Sequence, residues 1–216
     1  MKKRNLYLVR HGQSIYNLEN RFTGWKDVEL TSLGKAQAKE AGKILSDIKF
    51  NHCYISNLKR AKHTLDIILK EINQSPPIDN HIALNERDYG DLIGQNKSEA
   101  ADKFGTEQVQ IWRRSFDVPP PGGESLKMTA ERTLPYYKQT ILPKVINNNN
   151  IIISAHGNSI RAIVMDIFNL TPEQILKTEI GWCEPWKISY DELGNLSSYE
   201  IISRPSESSN SHLYRD

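Results

Sequence analysis

Two kinds of apolar spacing alternate along the chain, and their order predicts an α/β fold. Short unbroken apolar runs fall within residues 5–9, 53–56 and 151–155 (Leu6-Tyr7-Leu8-Val9, Cys53-Tyr54-Ile55, Ile151-Ile152-Ile153). Runs of this length are too short for helices and suit strands buried on both faces of a sheet. Between them, apolar residues recur at three- and four-residue intervals. Leu33, Ala41, Ile44, Leu45 and Ile48 share one face of a helix from Thr31, whose hydroxyl can cap it, to Ile48. Ala61, Leu65, Ile68, Leu69 and Ile72 do the same for a helix over 58–72, which Pro76-Pro77 ends.

Further along, the pattern weakens and then recovers. A third strand is expected at Ile82–Leu84, and a helix poor in apolar residues over 97–116. The run Pro119-Pro120-Pro121-Gly122-Gly123 reads as a rigid loop and the candidate internal boundary. A long helix over 124–146, interrupted near Pro135 and Pro143, leads to the strongest strand and then to a helix over 158–168. Thr171-Pro172-Glu173-Gln174 carries a cap, a proline at the first helical position and a capping-box glutamine. Residues 186–190 and 196–201 flank a polar turn, as a hairpin does, and the Ser-rich segment 203–216 is expected to be a mobile tail. One catalytic domain over 1–202 follows.

Composition narrows the class. Of 216 residues, 38% are hydrophobic and 25% charged, which supports a packed core, while a net charge of +2 gives no reason to expect a nucleic-acid or membrane surface. Any anion site is therefore local. Two distant cysteines lack metal-ligand spacing, and Met1-Lys2-Lys3-Arg4 precedes an apolar stretch too short for a signal sequence, so a reducing, cytoplasmic setting is expected.

The chemistry lies where two strands end. One runs into Arg10-His11-Gly12 and the other into His156-Gly157, placing two imidazoles at the carboxyl edge of the sheet, where open α/β folds bind ligands. Either histidine alone reads equally well as a loop cap. Arg10, Arg60, Arg87, Arg113, Arg114 and Arg161 occupy edge positions, and their forked donors match phosphate oxygens, although Arg113-Arg114 alone reads as a solvated helix face and Glu86 as an exposed carboxylate. Clustered cations keep a histidine neutral, with a lone pair able to attack phosphorus. No carboxylate sits at ligand spacing from either His-Gly step, which makes a metal site the weaker reading.

The longer motifs carry a family resemblance. Leu8-Val9-Arg10-His11-Gly12-Gln13-Ser14, Asn17, Asn20-Arg21-Phe22-Thr23-Gly24-Trp25, Leu58-Lys59-Arg60-Ala61 with His63-Thr64, Leu84-Asn85-Glu86-Arg87 with Tyr89-Gly90, Trp112-Arg113-Arg114 and Ala155-His156-Gly157-Asn158-Ser159 occur in order over about residues 5–180. This series resembles the cofactor-dependent phosphoglycerate mutases of the histidine phosphatase superfamily. The resemblance implies a three-layer sandwich with a mostly parallel central sheet flanked by helices. It implies that His11 is the nucleophile, that Arg10, Arg60 and His156 bind the transferring group, and that Glu86 is the general acid and base. It further implies that Ser14, Asn17, Thr23, Gly24, Tyr89, Lys97, Arg113, Arg114, Gly157 and Asn158 hold substrate or phosphate.

The implied reaction is interconversion of 2- and 3-phosphoglycerate in glycolysis and gluconeogenesis, primed by 2,3-bisphosphoglycerate and using no metal. A phosphatase, or a bisphosphoglycerate mutase or phosphatase, on the same scaffold is the alternative, and a non-catalytic phosphate-binding module is a reading from another class. Expected partners are small-molecule phosphoglycerates and a second copy in a homodimer, with no nucleic acid and no membrane. The chain departs from the family pattern in two places. Phe116 runs almost directly into the proline-rich loop, and Gly181-Trp182-Cys183-Glu184-Pro185-Trp186 stands where the family usually has a Thr-Gly step before a Pro-containing strand.

Overall fold

The uninterrupted apolar runs become the centre of a sheet because each is packed on both faces. In the computed structural model, which describes residues 4–147, 149–202 and 210–214, the strands are β1 (Asn5–Arg10), β2 (His52–Ile55), β3 (Ile78–Asn80), β4 (Asn150–Ala155), β5 (Trp186–Tyr190) and β6 (Leu196–Ile201). They form one sheet in the order β3-β2-β4-β1-β5-β6. The four strands β3, β2, β4 and β1 run parallel, β5 is antiparallel to β1, and β6 is antiparallel to β5.

Alternate side chains of one run enter different cores. Leu6 and Leu8 of β1, with Ile151, Ile153 and Ala155 of β4, pack against α6 (Leu126–Tyr136) and α8 (Gly157–Phe168). Tyr7, Val9 and Ile152 turn the other way onto α2 (Ser32–Ile44) and α3 (Lys59–Glu71). Helices on both faces and a mostly parallel sheet give the expected three-layer α/β architecture. Thr31 caps α2 by accepting the Gly34 N–H at 3.0 Å, and Thr171 and Gln174 form the capping box of α9 (Pro172–Lys177).

The crossover pattern creates the site. From β1 the chain passes to α2 on one face, and from neighbouring β4 it passes to α8 on the other. The carboxyl ends of two adjacent strands thereby diverge and open a crevice. Register pairs Arg10 with Ala155, so the next residues, His11 and His156, emerge side by side.

Several sequence expectations are corrected. Ile82–Leu84 forms a 3₁₀ turn, and the third strand is Ile78–Asn80, an exposed edge strand with one apolar residue. The helix expected over 97–116 is two, α4 (Lys97–Phe104) and α5 (Thr106–Arg114), broken at Gly105, whose φ of +89° is costly for other residues. The four-residue helix α1 (Ile15–Leu18) buries none of its side chains and is too short for its apolar residues to show a helical period. After Pro135 the backbone widens into a π-helical stretch at Tyr137–Ile141 before α7 (Leu142–Ile146). Of the segment read as a tail, residues 203–209, 215 and 216 lie outside the described residues. Residues 210–214 are held: Glu179 and His212 exchange backbone hydrogen bonds of 2.9 Å.

Candidate active site

His11 sits at the end of β1 and is 2% exposed. Its Nδ1 lies 2.7 Å from the Gly12 carbonyl, which can only accept, so Nδ1 carries the proton and Nε2 holds the lone pair. Arg60 Nε donates to that Nε2 at 3.3 Å. Burial first, and then the charges of Arg60 and Arg10, hold the His11 imidazole well below its ordinary value of 6.5. The ring is therefore neutral at physiological pH. His11 owes its position to a close backbone approach, since a Cβ at Gly12 would overlap the Gly34 carbonyl in the first turn of α2.

His156 stands at the end of β4, its ring centroid 5.0 Å from that of His11. The Ser56 hydroxyl lies 2.7 Å from its Nε2, and the Ser56 oxygen accepts the Leu58 N–H at 3.2 Å. His156 Nδ1 is buried and has no partner among the described residues; with the Ser56 hydroxyl donating to Nε2, Nδ1 is the nitrogen that carries the proton. Burial, then Arg60, His11 and Arg10, push this imidazole well below its ordinary value too.

Arg60 is clamped from behind. Its Nη2 donates to the Gly24 carbonyl at 2.8 Å and its Nη1 to the Lys26 carbonyl at 3.0 Å. Burial brings its pKa down to about 10, against the pull of Glu86 and Asp27, so it stays charged. Arg10 Nη1 donates to the Ile180 carbonyl at 2.7 Å, while its Nε is a buried donor without a partner among the described residues.

Beside the histidines lies a cavity of about 260 Å³, lined by the cations Arg10, Arg21, Lys97, Arg113, Arg114 and Arg161 and the carboxylates Glu86 and Glu179. Glu86 Oε1 accepts the Arg87 N–H at 2.9 Å and the Asn158 N–H at 3.0 Å, the second tying it to the first turn of α8. Its Oε2 makes no hydrogen bond among the described residues. Arg87 Nη2 donates to the Tyr89 hydroxyl at 2.7 Å. Burial, the largest single effect, and Glu86 oppose ionisation of that phenol, but the charge and hydrogen bond of Arg87 with the charge of Lys97 together hold the pKa below its ordinary value. Burial also lowers Lys97, with Arg113, Arg10 and Arg114 adding to the effect against Tyr89. Among the described residues no three His, Cys, Asp or Glu side chains gather as a metal set.

Most residues singled out from the sequence converge here. Arg10, Asn17, Thr23, Gly24, Glu86, Tyr89, Lys97, Arg113, Arg114, Gly157 and Asn158 line the cavity, and the buried His11, Arg60 and His156 adjoin its lining, His11 following Arg10, His156 preceding Gly157 and Arg60 donating to the Gly24 carbonyl. Ser14 differs, because its hydroxyl donates to Asn17 Oδ1 at 2.9 Å and is buried at the cap of α1. It shapes the loop that presents Asn17. Sequence reading placed Arg161 at the sheet edge without giving it a role in the site, and left Arg21 and Glu179 out of it. Arg161 lies four residues after Gly157 on α8, one turn along the same face, and that spacing is the signal that could have found it. Glu179 bridges Arg114 Nη1 at 3.0 Å and Arg161 Nη2 at 2.8 Å.

Neutral paired imidazoles at a sheet crossover, facing a cationic cavity, define a histidine-centred anion site on an α/β scaffold. The model of the histidine phosphatase superfamily (branch 1) matches residues 6–198, and the chain belongs to that family. A Nitrobacter hamburgensis protein named 2,3-bisphosphoglycerate-dependent phosphoglycerate mutase is 56% identical over 188 residues, covering 86% of this chain and 91% of its own length. A protein of the same name from Parvibaculum lavamentivorans is 49% identical over 200 residues, or 91% of this chain and 95% of its own. Among solved structures, the alpha-ribazole phosphatase from Shigella flexneri aligns with a TM-score of 0.82 at 21% identity, over 95% of this chain and all of its own, a likeness of fold. No helix among the described residues is long and apolar enough to cross a membrane.

Proposed function

We propose that this chain is a 2,3-bisphosphoglycerate-dependent phosphoglycerate mutase, interconverting 2- and 3-phosphoglycerate through a phosphohistidine at His11 in glycolysis and gluconeogenesis, in the cytoplasm. The observation that carries the reading is the fixed tautomer of His11: Nδ1–H is committed to Gly12, and the Nε2 lone pair faces the Arg60 guanidinium. The relatives of that name, matched over most of their length, support it.

The steps run through imidazole, guanidinium and carboxyl groups of this site. The Nε2 lone pair of His11 forms a bond to phosphorus as the bond from phosphorus to the leaving oxygen breaks. Arg10, Arg60 and His156 Nδ1 donate to the phosphoryl oxygens as charge gathers there. Glu86 gives a proton to the departing oxygen, then removes one from the hydroxyl that takes the phosphoryl group back in the productive direction. Lys97, Arg113 and Arg114 hold the carboxylate and remaining phosphate, retaining the sugar acid while it reorients. The six cations lining the cavity fit a bisphosphate, and 2,3-bisphosphoglycerate supplies the phosphoryl group that primes His11. This scheme recruits no metal.

A coupled assay converting 3-phosphoglycerate to 2-phosphoglycerate, run with and without 2,3-bisphosphoglycerate, tests the proposal. Strong stimulation by the bisphosphate is the expected result. Release of inorganic phosphate without isomerisation would replace the mutase by a phosphatase.

A further inference from the structure

The segment 178–184, which runs into the stretch 181–186 where the chain departs from the family pattern, holds two arginines of the cavity. The Ile180 carbonyl accepts from Arg10 Nη1 at 2.7 Å, and the Trp182 ring lies 5.4 Å from Arg10 Cζ. The Thr178 carbonyl accepts from Arg161 Nε at 2.9 Å, and the Glu179 carboxylate from Arg161 Nη2 at 2.8 Å. The placement of both guanidinium groups therefore depends on where this backbone lies.

That backbone is in turn held by residues 210–214. Glu179 and His212 exchange backbone hydrogen bonds, Tyr214 N–H donates to Thr178 Oγ1 at 3.2 Å, and Ser211 Oγ accepts the Gly181 N–H at 2.8 Å. Glu184 closes the arrangement from below. It is 4% exposed, its Oε1 accepts the Asn210 N–H at 2.8 Å and its Oε2 accepts the Ser211 N–H at 2.8 Å. The carboxylate lies so close to Gly181 that a Cβ there would stand 2.5 Å from Oε2. A carboxylate matches two neighbouring N–H donors with two acceptors. A carboxamide offers one acceptor and turns an NH₂ group toward the other donor.

We infer that Glu184 is a positioning residue of the phosphate pocket: by clamping the amides of 210 and 211 it fixes segment 178–182, and through it Arg10 and Arg161. This rests on the pocket binding phosphate, the first part of the proposed function, and needs no mutase activity.

The test uses the full chain, Glu184→Gln, Ser211→Ala and the double variant, with inorganic phosphate as the probe. Glu184→Gln keeps the side-chain volume and removes one acceptor. Its dissociation constant for phosphate, measured by titration calorimetry, is expected to rise about fivefold, the effect of one lost hydrogen bond. Amide exchange at Glu179 and His212 should accelerate with it, while the phosphorylatable fraction of the enzyme is unchanged. Ser211→Ala should act in the same direction, and the double variant should fall short of the product of the two effects, because both loosen one docked segment. Unchanged phosphate affinity in the two single variants would overturn the inference. So would a smaller phosphorylatable fraction with normal phosphate affinity, which marks a purely structural role. If the wild-type protein binds phosphate but shows no bisphosphate-stimulated mutase activity, the mutase reading falls and the Glu184 result stands separately.

Discussion

His11 and His156 face each other across the seam between β1 and β4, ring centroids 5.0 Å apart, yet their ring nitrogens are used differently. His11 has its Nδ1 bonded to a carbonyl and its Nε2 accepting from Arg60, whereas His156 has its Nε2 bonded to Ser56 and its Nδ1 without a partner among the described residues. The first is set up to give an electron pair and the second to donate a hydrogen bond. His11→Ala is therefore expected to abolish acid-labile labelling by radiolabelled 2,3-bisphosphoglycerate. His156→Ala should still label, at a rate lowered about 100-fold or more, as when a transition-state donor is lost. Equal labelling of His11→Ala and wild type would place the nucleophile elsewhere.

Stability should depend on pH through the same two rings. Both are buried neutral, with pKa values well below 6.5 in the folded chain. Above about 6.5 neither state holds the extra proton and nothing is lost. Below it the unfolded chain takes up protons that the folded chain refuses, so stability falls by up to about 1.4 kcal/mol per pH unit for each ring until the folded values are reached. Denaturant unfolding of wild type and His11→Ala between pH 8 and pH 5 measures this. The variant should show the shallower decline, and parallel curves would contradict it.

Glu86→Gln keeps the acceptor that binds the Arg87 and Asn158 amides but removes the proton acceptor. Steady-state kinetics should show kcat lowered about 100-fold or more, in the range for loss of a general acid or base. KM should not rise, because a negative charge leaves a cationic cavity. A raised KM with normal kcat would make Glu86 a binding group only.

Gly12→Ala tests the approach of α2 to the nucleophile loop. A methyl group there overlaps the Gly34 carbonyl, so the loop must shift, with an expected loss of about 1–3 kcal/mol in stability as for overpacked cores. Urea unfolding measures the loss, and phosphate binding should weaken alongside it. A variant as stable as wild type would mean that the loop yields freely.

Prolonged dialysis against EDTA should leave mutase activity intact, because the proposed steps use only imidazole, guanidinium and carboxyl groups. Activity that disappears and returns only with an added divalent ion would require a different mechanism.

The central strands were legible because burial on both faces forces unbroken apolar runs, and the His-Gly steps at their ends marked the crevice. β3 was not, because an edge strand bonded on one side needs little apolar surface: Ile78 is 43% exposed. The apolar run Ile82-Ala83-Leu84 drew the prediction there, although it folds as a turn that buries Ala83 and Leu84. The break at Gly105 was hidden because a single glycine is tolerated within a helical pattern. In the site, the residues next to strand ends were recovered, whereas Glu179 joins the cavity only through arginines on two different helices. The grip of residues 210–214 on segment 178–184 is likewise invisible in sequence, since it depends on backbone amides.

The pairing of Arg10 with Ala155 ties chemistry to sheet assembly. Because the facing imidazoles follow directly from that pair, sliding β1 along β4 by a single position would separate them and turn alternate side chains to the wrong face. Turnover is thus a sensitive reporter of correct strand alignment: a misaligned chain could keep its helices and much of its compactness and still be inert.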